Sequence, residues 1–508
     1  MKSILIALII ILFFGCVAEG QTFSCGSGDT EWSAGLTWTD GIEPGDASVC
    51  PNGYTCHYVD CDAVSDGTGT YASPYWGFET VLGYLNAGDF YEGVVKRTND
   101  SKQIVYVKGT CDYGTSVESS TGPFKQIRVW RSTGSASDPV IVKSYPGIAQ
   151  AIFDGEGTGH RAIEFKNTAG AVAGGGFLIE NFRITDYIYD GISVQDSFEY
   201  IDIHSVTVDN IDGDGDGTYG PIMIYQRDTD SKQTALIRNC YLHTNDLDAT
   251  GGLSNRGTIR HHGVYNAHAD STFTVQNTIV EDGAYCFQDK HFGGNVLIKE
   301  SICSNAIGMA YIRADSIEFD RVIWDSINVD DPTGDGSSGF FLSKENIEAG
   351  YDVSVNIHNC TIYDLTSKLF TADPVDDDIA VTFEDNIIDD SAYTGRPIYL
   401  APNSGDSLVL LDQNFGGNIY NISSSTQSGF AWYKNTGYSF SGFNTLFSDT
   451  TSTVADPGLV DPSNGDFDSS LTIGACVLSA EPEPTASTGR KVISEALNPL
   501  SPSRGLGM

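Results

Sequence analysis

The chain has 508 residues, with 67 Asp and Glu against 28 Lys and Arg, for a formal net charge of −39 at pH 7. That balance excludes nucleic acid as a general partner, and any polyanionic ligand would need a local basic patch to hold it. A chain of this length ordinarily divides into domains of roughly 100–200 residues, unless its core grows along one axis as in a solenoid.

Residues 1–20 carry Lys2, an apolar run from Ile4 to Phe14 and then small residues. This is the pattern of a secretory signal, too short for a bilayer span, and no other segment is apolar enough to cross a membrane. Ala18-Glu19-Gly20 before Gln21 fits a small-x-small cleavage site. The rival, lipid attachment at Cys16, has Leu12 one place too early. Secretion is the expectation, with periplasmic or lipid-anchored placement as alternatives. Cys25, Cys50, Cys56, Cys61 and Cys111 crowd the N-terminal part, where export favours disulfides. No paired C-x-x-C spacing supports zinc.

Residues 21–65 lack periodicity and read as an irregular, cross-linked leader. Asp66 to Gly69, then Ser73-Pro74, predict a helix start. Phe78, Val81, Leu82 and Leu85 follow at helical spacing and Gly88 can end the helix, which would cap the first coil of a stack. Gln103 to Val107 is the first clear strand. From there to about Leu400 a motif recurs: a short β-branched run, often a central Asn (Asn181, Asn277, Asn359, Asn386), then a turn with Asp or Asn. Starts at Phe177 and Tyr200, Phe273 and Val296, and Val296 and Ile317 are 23, 23 and 21 residues apart. Such a period implies stacked one-coil units. Leucine-rich repeats need a leucine framework and a helix per repeat, and both are absent. The expected fold is therefore all-β, a single-stranded parallel β-helix (solenoid) over residues 66–480 with an N-terminal capping helix. Residues 212–220 and 244–260 read as inserted loops, Asp456 to Phe467 as a terminating turn, and 481–508 as a loose tail. A monomer is expected.

Four segments begin with glycine, run through alternating residues and end in polar clusters, starting at Gly263, Gly283, Gly308 and Gly339. Aligned on those glycines, His268, Gln288, Arg313 and Lys344 share one offset. Asp270, Lys290 and Asp315 share another, two residues on. Residues two apart on a strand share a face, so strands stacked in register would make an exposed strip of titratable groups, with Arg260, His261, His262 and His291 close by.

Asp66 to Gly69 with its helix, Asp138 to Gly147 leading to Ala151–Gly155, and the Asp456–Phe467 terminator resemble the secreted right-handed parallel β-helix proteins of the pectate-lyase superfold, which implies a right-handed parallel β-helix here. The likeness covers most of the mature chain. Lyases, hydrolases, epimerases and tailspike adhesins share that fold, so it does not settle function. Lys290 and Arg313, about one coil apart, resemble the lysine and arginine of the chondroitinase B and alginate lyase group. That resemblance implies β-elimination on an acidic polysaccharide, which needs a base for the proton alpha to the carboxylate and positive charge for the enolate-like intermediate. Lys290 would be the base if Arg313, Lys344 and His291 lower its pKa. Arg313 would hold the carboxylate or assist the leaving oxygen. His268 is a rival base with a better-suited intrinsic pKa. Gln288, Tyr265, Tyr311, His262 and Arg260 would line the cleft with His291 and Lys344. The family places acidic calcium ligands shortly before the lysine, where this chain has Gly283 and Tyr285.

Three other readings stand beside it. A glycoside hydrolase would use Asp270, Asp289 and Asp315, although the polygalacturonase and alginate-epimerase signatures of the fold are missing. A non-catalytic, adhesin-like binder would stack sugars on Tyr265, Tyr285, Tyr311 and Trp324. A solvated wall of ion pairs would have no chemistry. Asp212, Asp214 and Asp216 have the look of an irregular calcium loop, with Met223 where an EF-hand needs Glu. The glycine-rich stretch at 173–176 follows no nucleotide-binding pattern.

Overall fold

The computed structural model describes residues 23–24, 48, 50–65, 67–77, 83–86, 89–92, 102–112, 126–130, 139–146, 150–166, 176–195, 198–211, 220–226, 232–244, 259–263, 271–282, 285–290, 295–306, 308–312, 316–327, 338–343, 353–365, 368–373, 379–390, 397–400, 410–433, 436–461, 466–469 and 477–478. The signal, the tail, and the expectations at Asp212–Asp216, Tyr265, His268, Asp270, His291, Arg313, Asp315 and Lys344 lie outside the described residues. Of Arg260, His261, His262, Lys290 and Tyr311 the backbone alone is described.

The chain winds into a parallel β-helix. Twelve strands, from Thr55–Asp60 to Leu410–Gly416, pair in sequence order to form one wide sheet. A second sheet is made of short strands such as Ile279–Glu281, Ile302–Ser304 and Ile323–Asp325, each paired parallel with the next. A third runs through Ile222–Gln226, Ile259–Gly263, Tyr285–Lys290, Gly308–Ile312, Ser338–Ser343, Lys368–Asp373 and Ile398–Leu400 to Ala431–Tyr433. Phe273 pairs with Val296 and Val296 with Ile317, as the sequence period predicts. Tyr200 pairs with Gly176, not Phe177, so that repeat is one residue longer.

The core follows from strand alternation: inward Val, Ile, Leu and Phe from all three sheets form one continuous cluster. Between the wide and second sheets the chain turns on a single residue of positive φ, including Asn181, Asn239, Asn277 and Asn359. Asn tolerates that conformation better than most residues, which accounts for the recurrent central Asn. Gly109 and Gly417 take the same place in the second and last coils. The next residue points inward, and where it is polar it joins a ladder along the corner. The backbone N–H groups of Cys360 and Asn386 donate to Oδ1 of Asn386 (2.9 Å) and Asn418 (3.0 Å) one coil on. Asn386 itself stands at the corner, just after its turn residue Asp385. Cys240 and Cys360 are unpaired thiols in this ladder, and burial pushes both up to about 12. They are packing groups, not nucleophiles.

Both ends differ from expectation. Thr55–Asp60 pairs along its whole length with Gln103–Lys108, so the stack begins inside the segment expected to be irregular. Phe78, Val81 and Leu82 of the expected N-terminal helix lie outside the described residues; Leu85, expected on it as well, lies on the strand Gly83–Asn86, which pairs antiparallel with Asp89–Glu92. A helix does cap the other end. Phe440–Leu446, N-capped by Ser439, packs Phe443 against Phe415 and Phe430 at ring separations of 5.1 and 5.5 Å. After the last coil, Gly458 donates to Asp456 and Leu459 packs on the outer ridge of Ile302 and Ile323, so the terminator folds back on the second sheet. Phe23–Ser24 pairs with Val477–Leu478. Disulfide Cys50–Cys56 staples the first coil, Cys61–Cys111 ties the first coil to the second, and Cys286–Cys303 ties the third sheet to the second sheet of the following coil. Among the described residues no helix is long and apolar enough to cross a membrane.

Candidate functional site on the third sheet

Register on the third sheet is fixed by its inward residues. Ile259, Phe287, Ala310, Phe340, Phe370, Ile398 and Ala431 pair one after another and are buried in the core. The positions that follow them, Arg260, Gln288, Tyr311, Phe341, Thr371, Tyr399 and Trp432, therefore form one outer row along the solenoid axis. Two residues on, His262 is the register partner of Lys290. Ile312, which precedes Arg313, pairs with Asp289, which precedes Lys290.

This corrects the glycine alignment. Gly308 pairs with Tyr285, and Gly339 stands level with Met309, so the glycines do not share a register position. Gln288 is accordingly level with Arg260 and Tyr311 instead of His268 and Arg313. The correction brings Lys290 and His262 together.

The strip is also less open than expected. Gln288 is 1% exposed, and in the N-terminal coils of the same row Glu164 and Ser193 are fully buried. Asp289 is 3% exposed, and its register partner Ile312 belongs to the core. It lacks the solvent access that a hydrolytic acid or base needs. Tyr285 and Trp324 are likewise buried, and Trp324 packs edge-on against Phe287, Phe319 and Phe340. They are core rings, so half of the aromatic set expected to stack on sugars is withdrawn.

Two polar clusters escaped sequence reading, because their members are far apart in the chain. At the corner leading into the third sheet, Arg161 Nε donates to Asp190 at 2.6 Å, its Nη1 lies 3.7 Å from Glu164, and Asp190 also accepts from Gly220 N–H. Both carboxylates are fully buried, so the arginine is their counter-charge. On the second sheet, His243 Nε2 is 2.8 Å from Asp282, and Tyr241 donates to Glu281 at 2.7 Å. The Asp282 bond, with the nearby carboxylates, holds His243 above the usual imidazole range despite burial. Among the described residues no group of three or more His, Cys, Asp or Glu is placed to hold a metal ion.

No protein-family model and no curated protein matches the sequence. Solved structures do. A GH136 lacto-N-biosidase from Eubacterium ramulus is similar at 8% identity over 72% of this chain and 67% of that one, with a TM-score of 0.38. A mannuronic acid specific polysaccharide family 6 lyase from human gut microbiota is similar at 10% identity over 72% and 88%, also with a TM-score of 0.38. The β-helix assignment rests on the strand ladders described above.

Proposed function

We propose that the chain is a secreted polysaccharide lyase that cleaves an acidic, uronic-acid-containing glycan by β-elimination, with Lys290 and Arg313 as its central residues. The observation that carries this reading is the register of the third sheet: Lys290 is set beside His262, and the residues preceding Lys290 and Arg313 are partners on adjacent strands. In a chain of net charge −39, cationic residue types are concentrated where a polyanion would have to bind.

Neutral Lys290 would take the proton alpha to the uronate carboxylate. The electron pair left behind forms the ring double bond as the bond to the leaving glycosidic oxygen breaks, and that oxygen collects a proton. Arg313 would pair with the carboxylate and stabilise the charge that develops on it. A neighbouring cation disfavours the charged form of lysine, so His262 when protonated, and Arg313, would lower the Lys290 pKa toward a working range. His268 is kept as the alternative base, with His291, Lys344, Gln288, Tyr311 and Arg260 along the substrate path. Calcium at Asp212, Asp214 and Asp216 is the proposed ion.

The test is ultraviolet absorbance against time with alginate, chondroitin sulfate, pectate and ulvan, with and without a chelator. Absorbance from an unsaturated uronate on one of them supports the lyase. New reducing ends without absorbance would move the chemistry to hydrolysis. Neither signal from a folded, calcium-supplied sample on any of the four would contradict the reading.

A further inference from the structure

The outer row that contains Gln288 continues past it to the C-terminal end of the third sheet, where it becomes aromatic. Tyr399 and Trp432 are register partners on consecutive strands, four and five strands beyond the one bearing Lys290. At roughly 4.8 Å per strand that is about 19 and 24 Å along the axis. Their neighbours Ile398, Leu400 and Ala431 are in the core, so alternation turns Tyr399 and Trp432 outward, and both are partly exposed. Trp432 has Tyr399 on one side and Gly437, which has no side chain, on the other. Lys368 holds its ammonium 4.6 Å from the centre of the Tyr399 ring.

Aromatic rings inside this β-helix are packing groups, as Trp324 shows. Two in succession on the outer row, with an ammonium against one of them, are a different arrangement. An aromatic face offers a large rigid surface for the C–H face of a pyranose, and the lysine adds a charge for a carboxylate carried by the same sugar. We infer that Tyr399, Trp432 and Lys368 form a distal subsite that binds the far end of an acidic glycan lying along the third sheet. The inference rests on the proposed substrate class, and it requires a ligand several sugar rings long. Short oligosaccharides bound at Lys290 do not reach it.

The experiment is calorimetric titration, in a Lys290→Ala background that does not consume the probes, of the otherwise wild-type chain and of Trp432→Ala, Tyr399→Ala and Lys368→Gln. The probes are decamers of oligomannuronate and oligogalacturonate, a trimer of each, and a neutral mannan oligosaccharide of ten residues. The expected result is tight binding of one acidic decamer, weakened about tenfold by either aromatic truncation. Trp432→Phe, which keeps a ring, should recover most of the loss. Lys368→Gln should weaken the acidic decamer and flatten its salt dependence, and trimer affinity should be the same in every variant. An acidic decamer bound equally by the otherwise wild-type chain and all variants would overturn the subsite while leaving the lyase reading intact. Losses that appear equally with the trimer would also overturn it, because they would reflect altered folding. Binding of the neutral decamer as tightly as the acidic ones would overturn the role given to Lys368. Failure of the otherwise wild-type chain to bind any acidic glycan would overturn the substrate class itself.

Discussion

The wide sheet and the third sheet share one backbone plan but use charge differently. On the outer face of the wide sheet, charges are matched across adjacent strands. Lys143 is 3.3 Å from Glu180, Arg238 holds Asp202 with two bonds of 3.0 and 2.8 Å, and His358 is 2.8 Å from Glu318. On the third sheet the register places Arg260 beside Met223 and Gln288, and His262 beside Tyr225 and Lys290. Opposite charges across a strand pair stabilise a sheet and like charges weaken it. The first surface is organised for stability. The second brings His262 and Lys290, two residue types that can carry positive charge, to paired backbone positions.

Substitutions can break that contrast, and the largest stability effect belongs on the wide sheet. Arg238→Ala strips the partner from the fully buried Asp202 carboxylate. It should destabilise the protein by about 3–5 kcal/mol in denaturant titration and leave turnover of the remaining folded protein unchanged. Asn386→Ala removes an acceptor for Cys360 N–H and a donor to the Ile357 carbonyl inside the corner ladder. About 2 kcal/mol should be lost by the same measurement, again without a catalytic effect.

A smaller and pH-dependent effect belongs to His243. Its folded pKa is raised, chiefly by Asp282, so its stabilising contribution is fully present below the unfolded value of about 6.5 and is lost as pH rises through the folded value. His243→Gln should cost about 1 kcal/mol below pH 6.5 and progressively less above it. The smallest effect has the opposite sign. Burial, and then the charge of Asp154, raises the pKa of Asp186, so the folded state binds a proton more readily there than the unfolded chain does. Stability is therefore lost as pH rises through that interval. Asp186→Asn, which keeps an acceptor for Asn210, should raise Tm slightly at neutral pH and leave it unchanged below the unfolded pKa, as read by scanning calorimetry.

The repeat was legible because each coil repeats one physical requirement. An inward β-branched run must be followed by a residue that accepts positive φ, and Asn181, Asn277 and Asn359 advertise that turn. Register on the third sheet was less legible. It is set by inward residues such as Phe287, Ala310 and Phe340, and the glycines that look like strand starts occupy different positions around them. The expected N-terminal helix rests on Phe78, Val81 and Leu82, which lie outside the described residues, and it does not extend to Leu85, which is on a strand. Leu85 fits that helical spacing by residue type, yet it pairs antiparallel with Phe90. Trp324 and Tyr285 fit a binding role by composition alone, and their burial was invisible until the coil closed around them. Lys290 is proposed from residue type, spacing and the family resemblance. His262 is 28 residues away in sequence and becomes its neighbour only through pairing across strands.

The most direct test of the account is to measure turnover and Tm on one preparation of Lys290→Ala, using the glycan that wild type cleaves. The account predicts a fall in turnover of at least about 10²–10⁴-fold, the range for loss of a general base, with Tm within about 2 °C of wild type. Turnover near the wild-type rate, or a loss that only follows a fall in Tm, would contradict it.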